Sequence, residues 1–427
     1  MMVHSVAERT NRALTNGSAL GGNLTTQTDR QHDKAVFTHW LNYITEDAHA
    51  TGQRVNLASN EEFPRLIPVL CDCFTREELS GLVGEQLTSA LLQMHRVEML
   101  QNLLLESELQ RVLCIFNEAA IPFMLFKGPV LAYTAYPNSH LRTYHDLDIL
   151  IHASDVARAH DLLVQTGYSF YEEYRADAAD EQRTAYHYSL QPPGMPFACI
   201  VELHTAPHAS EIGTLSDLEV LWKNARPMVI LGQPVAVMNP ADHLLFLCWH
   251  YRFHGFTRLL WLYDLVMLLR FCGDTLDWDA LMRAARDQRL ATTLYYCLCW
   301  CRDLFGVAIP IRVFSRLRPP LVSRFVVERI ALPDVEKGLS VASYQGQRVI
   351  ARRAMVDSHR DLLKAGLRML FPSPVALQKR YMDHSRLPLR LFFLFYFIHP
   401  WITLEKGCWN AFRRAGTRRK QRSVGKI

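Results

Sequence analysis

The segment 123–151, FMLFKGPVLAYTAYPNSHLRTYHDLDILI, constrains the fold more than any other part of the chain. Two apolar runs, residues 121–126 and 147–151, have the composition of buried strands. Lys127-Gly128 closes the first run, while Asp146 and Asp148 open the second, one residue apart. On a strand, residues i and i+2 share a face, so these carboxylates project side by side from one edge of a sheet. Two anions that close each favour the protonated form unless a cation lies between them. Paired oxygen donors suit Mg²⁺ or Mn²⁺, ions that usually serve phosphate chemistry. An isolated Asp-x-Asp is most often a solvated strand end. Here the apolar run, the preceding glycine turn and Arg142 just upstream favour the metal reading.

Strand and helix alternate through this middle region. Residues 168–174, 186–190 and 197–203 read as further strands. Ser154 fits a helix N-cap, Asp155 suits the helix N-terminus, and Gly167 ends that helix. Before it, helical spacing dominates: Leu87, Leu91, Met94, Val97, Met99, Leu103 and Leu104 recur at threes and fours, then Leu109, Val112, Leu113 and Phe116. That stripe is expected to pack into a core. From Asp217 onward the pattern is mostly helical, with one strand-like interval at 228–237. The expected class is α+β, a small mixed sheet with a mostly α-helical C-terminal domain. The expected divisions are a disordered, Ser/Thr/Asn/Gly/Gln-rich lead at 1–34, a helical segment at 35–120, the α/β core at 121–215, the helical domain at 216–410 and a basic tail at 411–427.

Composition sets limits. A chain of 427 residues buries a sizeable core, and its 49% hydrophobic and 21% charged content is ordinary for a globular protein. The ten cysteines are scattered in apolar runs, and no secretory signal opens the sequence, so reduced thiols in a cytoplasmic protein are the simplest account. Cys297, Cys299 and Cys301 sit among core-like residues and make a poor tetrahedral metal site. The net charge of +5 is too small to argue for a nucleic-acid partner.

Several motifs in order carry a resemblance. They are Lys127, Gly128, Leu131 and Ala132, then Tyr136 and Pro137, then Leu141, Arg142, Asp146 and Asp148, then Ser154 through Gly167 and Tyr168. The series continues through V-E-L-H at 201–204, P-A-D-H-L-L-F-L-C-W-H-Y-R-F-H-G at 240–255 and L-L-W-L-Y-D-L at 259–265. Across roughly residues 90–270 the chain resembles the uncharacterised nucleotidyltransferase family of the DNA polymerase beta-like superfamily. The resemblance implies Mg²⁺-dependent (or Mn²⁺-dependent) transfer of a nucleoside monophosphate from an NTP to an acceptor. It implies a glycine turn that holds the triphosphate and a third carboxylate from a neighbouring strand. Asp146, Asp148 and Glu202 are then the expected metal ligands, with Glu202 as third ligand or base. Lys127, Gly128 and Arg142 are expected to hold phosphate. By family analogy the pathway is natural-product, antibiotic or polysaccharide-precursor tailoring.

Physical chemistry supports parts of this and leaves others open. Glu202 is the one charge in a buried strand-like run, and such a glutamate needs either a metal or an arginine. Pro129 departs from the family pattern by removing one backbone donor, although proline suits the first turn of a helix. That departure is the argument for a second reading, a non-catalytic binding or scaffold protein of the same fold. His243, His250 and His254 share a helix face. They are either satisfied core histidines or, with His204 and Asp264, the wall that receives substrate; Asp264 is equally a general base or the buried partner of an arginine. His208 is placed to reach the same cleft. A phosphohydrolase of the HD type is disfavoured because the helical half has no His-Asp dyad, and Asp242-His243 runs in the reversed order. The acceptor is expected to be a small molecule, since no nucleic-acid footprint is present. Residues 391–398 form an apolar run far too short to span a bilayer. The basic residues after Phe412 either solubilise the tail or contact an anionic membrane surface or polyanion.

Overall fold

The computed structural model describes residues 25–50, 62–174, 187–194, 199–206, 218–256, 258–328, 354–374, 377 and 394–402. The expected α+β class holds. A mixed seven-stranded sheet in the order β3-β4-β5-β2-β1-β7-β6 is flanked by helices. Its strands are β1 Phe123–Leu125, β2 Asp146–Ile151, β3 Ser169–Tyr174, β4 His187–Gln191, β5 Ile200–His204, β6 Arg226–Ile230 and β7 Gln233–Val237. Before the sheet come helices α1 Gln27–Ala50, α2 Glu62–Cys73, α3 Arg76–Val83 and α4 Glu85–Glu118. Between strands lie α5 Gly128–Thr134, α6 Val156–Gln165 and α7 Leu218–Lys223. After the sheet come α8 Pro240–Phe253, α9 Leu259–Cys272, α10 Trp278–Asp287, α11 Ala291–Phe305, α12 Ile311–Leu317, α13 Leu321–Val326 and α14 His359–Leu370.

The central strands are apolar on both faces because both faces are covered. Leu147, Ile149 and Ile151 of β2 join Phe123, Leu125, Val201 and Leu203 in a core closed by α4 and α6. Their alternates, Met124, Phe126 and Leu150, join the other core, shared with α8, α9 and α11. By the same alternation Asp146 and Asp148 lie on the Leu150 face, toward the helical half. This placement sets the functional site.

The strand-like interval at 228–237 is a hairpin rather than one strand. Leu231 and Gly232 both take positive φ, 50° and 75°, which makes the tight reversal between β6 and β7. β7 pairs parallel with β1, so the division drawn at 215/216 crosses the sheet. Helix α1 begins at Gln27, inside the compositionally assigned lead, because its polar first turns are pinned. Asp33 accepts from Tyr263 and both terminal nitrogens of Arg270, at 2.9 Å each, while Val36, Phe37, Trp40 and Leu41 are buried. At α6 the N-cap position is Asp155, one residue past Ser154, and Gly167 follows the helix with φ 100°.

In α4 the expected stripe faces partly outward. Val97, Leu100, Leu103 and Leu104 are exposed, whereas Glu98, Asn102 and Glu108 are buried. The reason is local: α4 turns polar residues toward the connection leading into β2. Asn102 Nδ2 lies 3.3 Å from His140 Nδ1, and Glu98 lies 3.7 Å from His145. The basic tail at 411–427 and His208 lie outside the described residues. Among the described residues no helix is long and apolar enough to cross a membrane.

Candidate active site

A cleft of about 380 Å³ opens between the Leu150 face of the sheet and helices α2, α8 and α9. On its sheet side β2 and β5 run parallel, with Asp146 opposite Ile200, Asp148 opposite Glu202 and Leu150 opposite His204. The ladder therefore places Asp146, Asp148, Glu202 and His204 on one face. All four border the cleft.

Asp148 is 1% exposed and is held from two sides. Its Oδ1 accepts from Lys127 Nζ at 2.6 Å and lies 2.8 Å from His204 Nε2. His204 Nε2 is also 3.2 Å from Glu202 Oε2, so one imidazole bridges both carboxylates. Donor atoms of Asp148, Glu202 and His204 all lie within 4.8 Å of one another. Burial works against the charged forms of Lys127 and His204, yet both pKa values rise. For Lys127 the opposing cause is first Asp148, then Asp146 and Glu202; for His204 it is the hydrogen bonds to Asp148 and Glu202. Burial likewise pushes Glu202 up, but the His204 hydrogen bond and charge, together with Lys127, outweigh it and the carboxyl titrates below its ordinary value.

The turn before α5 explains Gly128. A Cβ there would sit 2.8 Å from Tyr144 Cβ, so only glycine allows the turn to approach the residue two positions before Asp146. Gly128 itself keeps an ordinary φ. The unusual backbone belongs to Lys127, at φ 60° and ψ −133°, which directs the ammonium toward Asp148. Pro129 sits in the first turn of α5 and does not disrupt it.

Arg142 and Asp264, expected as phosphate and substrate ligands, are brought together as a buried brace. Arg142 Nε donates to Asp264 Oδ1 at 2.6 Å and Nη2 donates to Oδ2 at 2.9 Å, while Nη1 donates to the Thr143 carbonyl. Tyr136 Oη adds a 2.8 Å bond to Asp264 Oδ1. Both residues border the cleft, but their charges are spent on each other. The brace ties the loop ahead of β2 to α9.

The three histidines of α8 separate. His250 and His254 line the cleft, with His254 just past the last helical residue. His243 is 2% exposed and lies outside the cleft lining; burial pushes its pKa down to about 4. Arg65 and Trp261 also border the cleft. The site assignment from sequence misses both. Arg65 stands in a helical stretch with no motif, and an indole in the apolar run of α9 looks like any core residue. Among the described residues no cysteine belongs to a metal-competent cluster.

No curated protein matches the chain. Among solved structures, the antibiotic-resistance factor ANT(2'')-Ia in solution is similar at 11% identity, with a TM-score of 0.32 over 46% of this chain and 98% of that one. Its crystal structure with adenylyl-2''-tobramycin matches at 12% identity and a TM-score of 0.30, over 42% and 96%. An antigenic nucleotidyltransferase-like protein from Paracoccidioides brasiliensis matches at 15% identity and a TM-score of 0.30, over 49% and 96%. The family described as uncharacterised nucleotidyltransferase matches residues 61–306, a span that contains every residue lining the cleft, and the chain belongs to that family.

Proposed function

We propose that the chain transfers a nucleoside monophosphate from an NTP to a small-molecule acceptor. The observation that carries this is the β2/β5 ladder, which sets Asp148 against Glu202 with Asp146 two residues upstream on the same face of an open cleft. Three carboxylates on one face form a hard-oxygen donor set that fits Mg²⁺ or Mn²⁺. The fit has a physical sign here: Asp148 is buried only in company with a Lys127 ammonium and a charged-form-favouring His204, so the position demands positive charge. Asp146, Asp148 and Glu202 would hold the ions, which when bound supply alignment of the acceptor oxygen with the α-phosphate and neutralise charge on the departing pyrophosphate.

The chain's own groups divide the remaining work. Lys127 adds positive charge beside the phosphates without proton transfer, and Gly128 lets its turn come close. His204 fixes the orientation of Asp148 and Glu202 through one nitrogen. Glu202, kept ionised by its His204 partner, would take the acceptor's proton. The Arg142–Asp264 brace holds the entry to β2 in place.

One observation favours the second reading, a non-catalytic binding protein. Asp148 Oδ1 is already satisfied twice, as in a purely structural ion-pair cluster. Calorimetric titration of ATP, CTP, GTP and UTP with Mg²⁺ separates the two, on wild type and on Asp146→Asn/Asp148→Asn. Metal-dependent binding of a nucleotide, abolished in the double variant, is the expected result. A folded wild type that binds none of the four sinks the transferase reading.

A further inference from the structure

Away from the cleft, helix α14 turns two kinds of residue outward together. Its start is capped by Ser358, whose hydroxyl accepts from the Asp361 amide. The helix's own carboxylate, Asp361, folds back onto that serine at 2.7 Å and lies 3.6 Å from Arg289. Leu362 packs on the core. The other side of the helix, at spacings of three and four, carries Arg360, Leu363, Lys364, Leu367, Arg368 and Phe371, and all six are exposed. Leu363 is 65% exposed, Phe371 52% and Leu367 48%. The face thus holds three cations and no carboxylate. Among the described residues none of these three cations forms an ion pair.

The neighbouring helix continues the pattern. α13 packs against α14, and its Leu321, Val322 and Phe325 are exposed while Ser323 is buried. Arg324, between them, lies 3.4 Å from Glu328. Farther along the chain Phe397 and Trp401, one helical turn apart, are both largely exposed. Past Glu405 the sequence carries only basic charge. A nucleic acid would engage the cations of α14 and leave its leucines and phenylalanine in water. A protein partner would have to bury those apolar side chains and also supply an acidic match for three cations. An anionic bilayer surface takes both at once. Leucine and phenylalanine enter the acyl boundary, while the long stems of arginine and lysine on the same face let their heads reach the lipid phosphates.

We propose that the outward face of α14, with the exposed side chains of α13 beside it, docks on an anionic lipid bilayer, the helix lying along the surface. Docking of this kind needs no spanning segment, and its strength comes from buried apolar area added to electrostatic attraction. The proposal goes beyond the transferase reading and does not depend on it, because no residue of the cleft takes part.

The test is sedimentation of the full chain with vesicles of phosphatidylcholine alone, and of phosphatidylcholine mixed with an equal part of phosphatidylglycerol. Wild type is expected on the anionic vesicles, less so as salt is raised, and not on the neutral ones. Replacing Arg360, Lys364 and Arg368 together by Gln should weaken the partition by about a hundredfold, at roughly fivefold per charge. Leu363→Ser with Leu367→Ser leaves the charge untouched and should weaken it by about tenfold or more. Lys364→Glu alone, with an expected loss of about tenfold or more, keeps the test decisive should the triple variant fold poorly. Absence of wild-type binding to anionic vesicles overturns the proposal. So does binding that survives both the basic and the leucine replacements, which would belong to the basic tail. Loss with the basic variant alone would make the face a general polyanion contact and overturn the lipid assignment. Self-association abolished by the leucine replacements, without vesicle binding, would give the face to a second copy of the chain and overturn it equally.

Discussion

On the sheet wall, Lys127, Asp148, His204 and Glu202 neutralise one another within hydrogen-bond reach; on the helical wall, Arg258, His250 and His254 are arranged around a neutral ring. The first arrangement is dictated by a backbone ladder and a strained turn, the second by side-chain packing between two helices. A catalytic array must hold its charges against mutual repulsion, which rigid strand pairing does well. A receptor for a variable substrate needs a shape that altered packing can change. The sheet wall is therefore specified by the backbone, the helical wall by packing.

Breaking the link between the walls should have the largest effect. Asp264→Asn strands a buried Arg142 and is expected to destabilise the fold by about 3–5 kcal/mol, measured by urea denaturation. A double replacement of Arg142 and Asp264 by apolar residues should cost less than the single one. If Asp264→Asn is neutral, the walls are not braced through this pair and the comparison loses its structural basis.

A pH experiment isolates the helical side. His243 has a folded pKa of about 4 against an unfolded value near ~6.5, so the unfolded chain binds the proton first. Stability from this group is complete above the unfolded pKa and is lost as pH falls through the folded one. Between about pH 7.5 and about pH 5 the loss comes to about 2 kcal/mol. His243→Gln should flatten that part of the stability–pH curve; an unchanged slope would show that His243 is not buried in its neutral form.

The smallest effect addresses the turn on the sheet side. Gly128→Ala forces its Cβ against Tyr144 and should cost about 1–2 kcal/mol, while lowering nucleotide affinity by displacing Lys127. Full stability with full nucleotide binding would mean that the turn has room to spare and that glycine is not required for the approach.

The sheet wall was largely legible because its determinants are local. Apolar runs at 147–151 and 197–203 located β2 and β5, and a two-residue spacing put Asp146 and Asp148 on one face. What the pattern did not give was the register between strands, hence not the Lys127–Asp148–His204 contacts, which join residues far apart in sequence. Arg142 looked like a phosphate ligand because its partner Asp264 lies more than a hundred residues away, in α9. The inward polar face of α4 was hidden for the same reason: Glu98 and Asn102 face His145 and His140, contacts that no helical periodicity encodes. The β6/β7 hairpin escaped because its reversal uses Leu231-Gly232 in place of a stronger turn pair.

The parallel register of β2 and β5 has a consequence for change over generations. Because side chains on a strand alternate, the carboxylate array is indexed by counting peptide units, not by the identity of neighbouring side chains. Substitutions in either core leave that count intact, whereas deleting or inserting one residue inside β2 would turn the acidic face into the apolar interior. Drift by point replacement is therefore compatible with a preserved site, and length variation within these two strands is not. Families built this way are expected to diverge far in sequence while their gaps accumulate everywhere except between Asp146 and Ile151 and between Ile200 and His204.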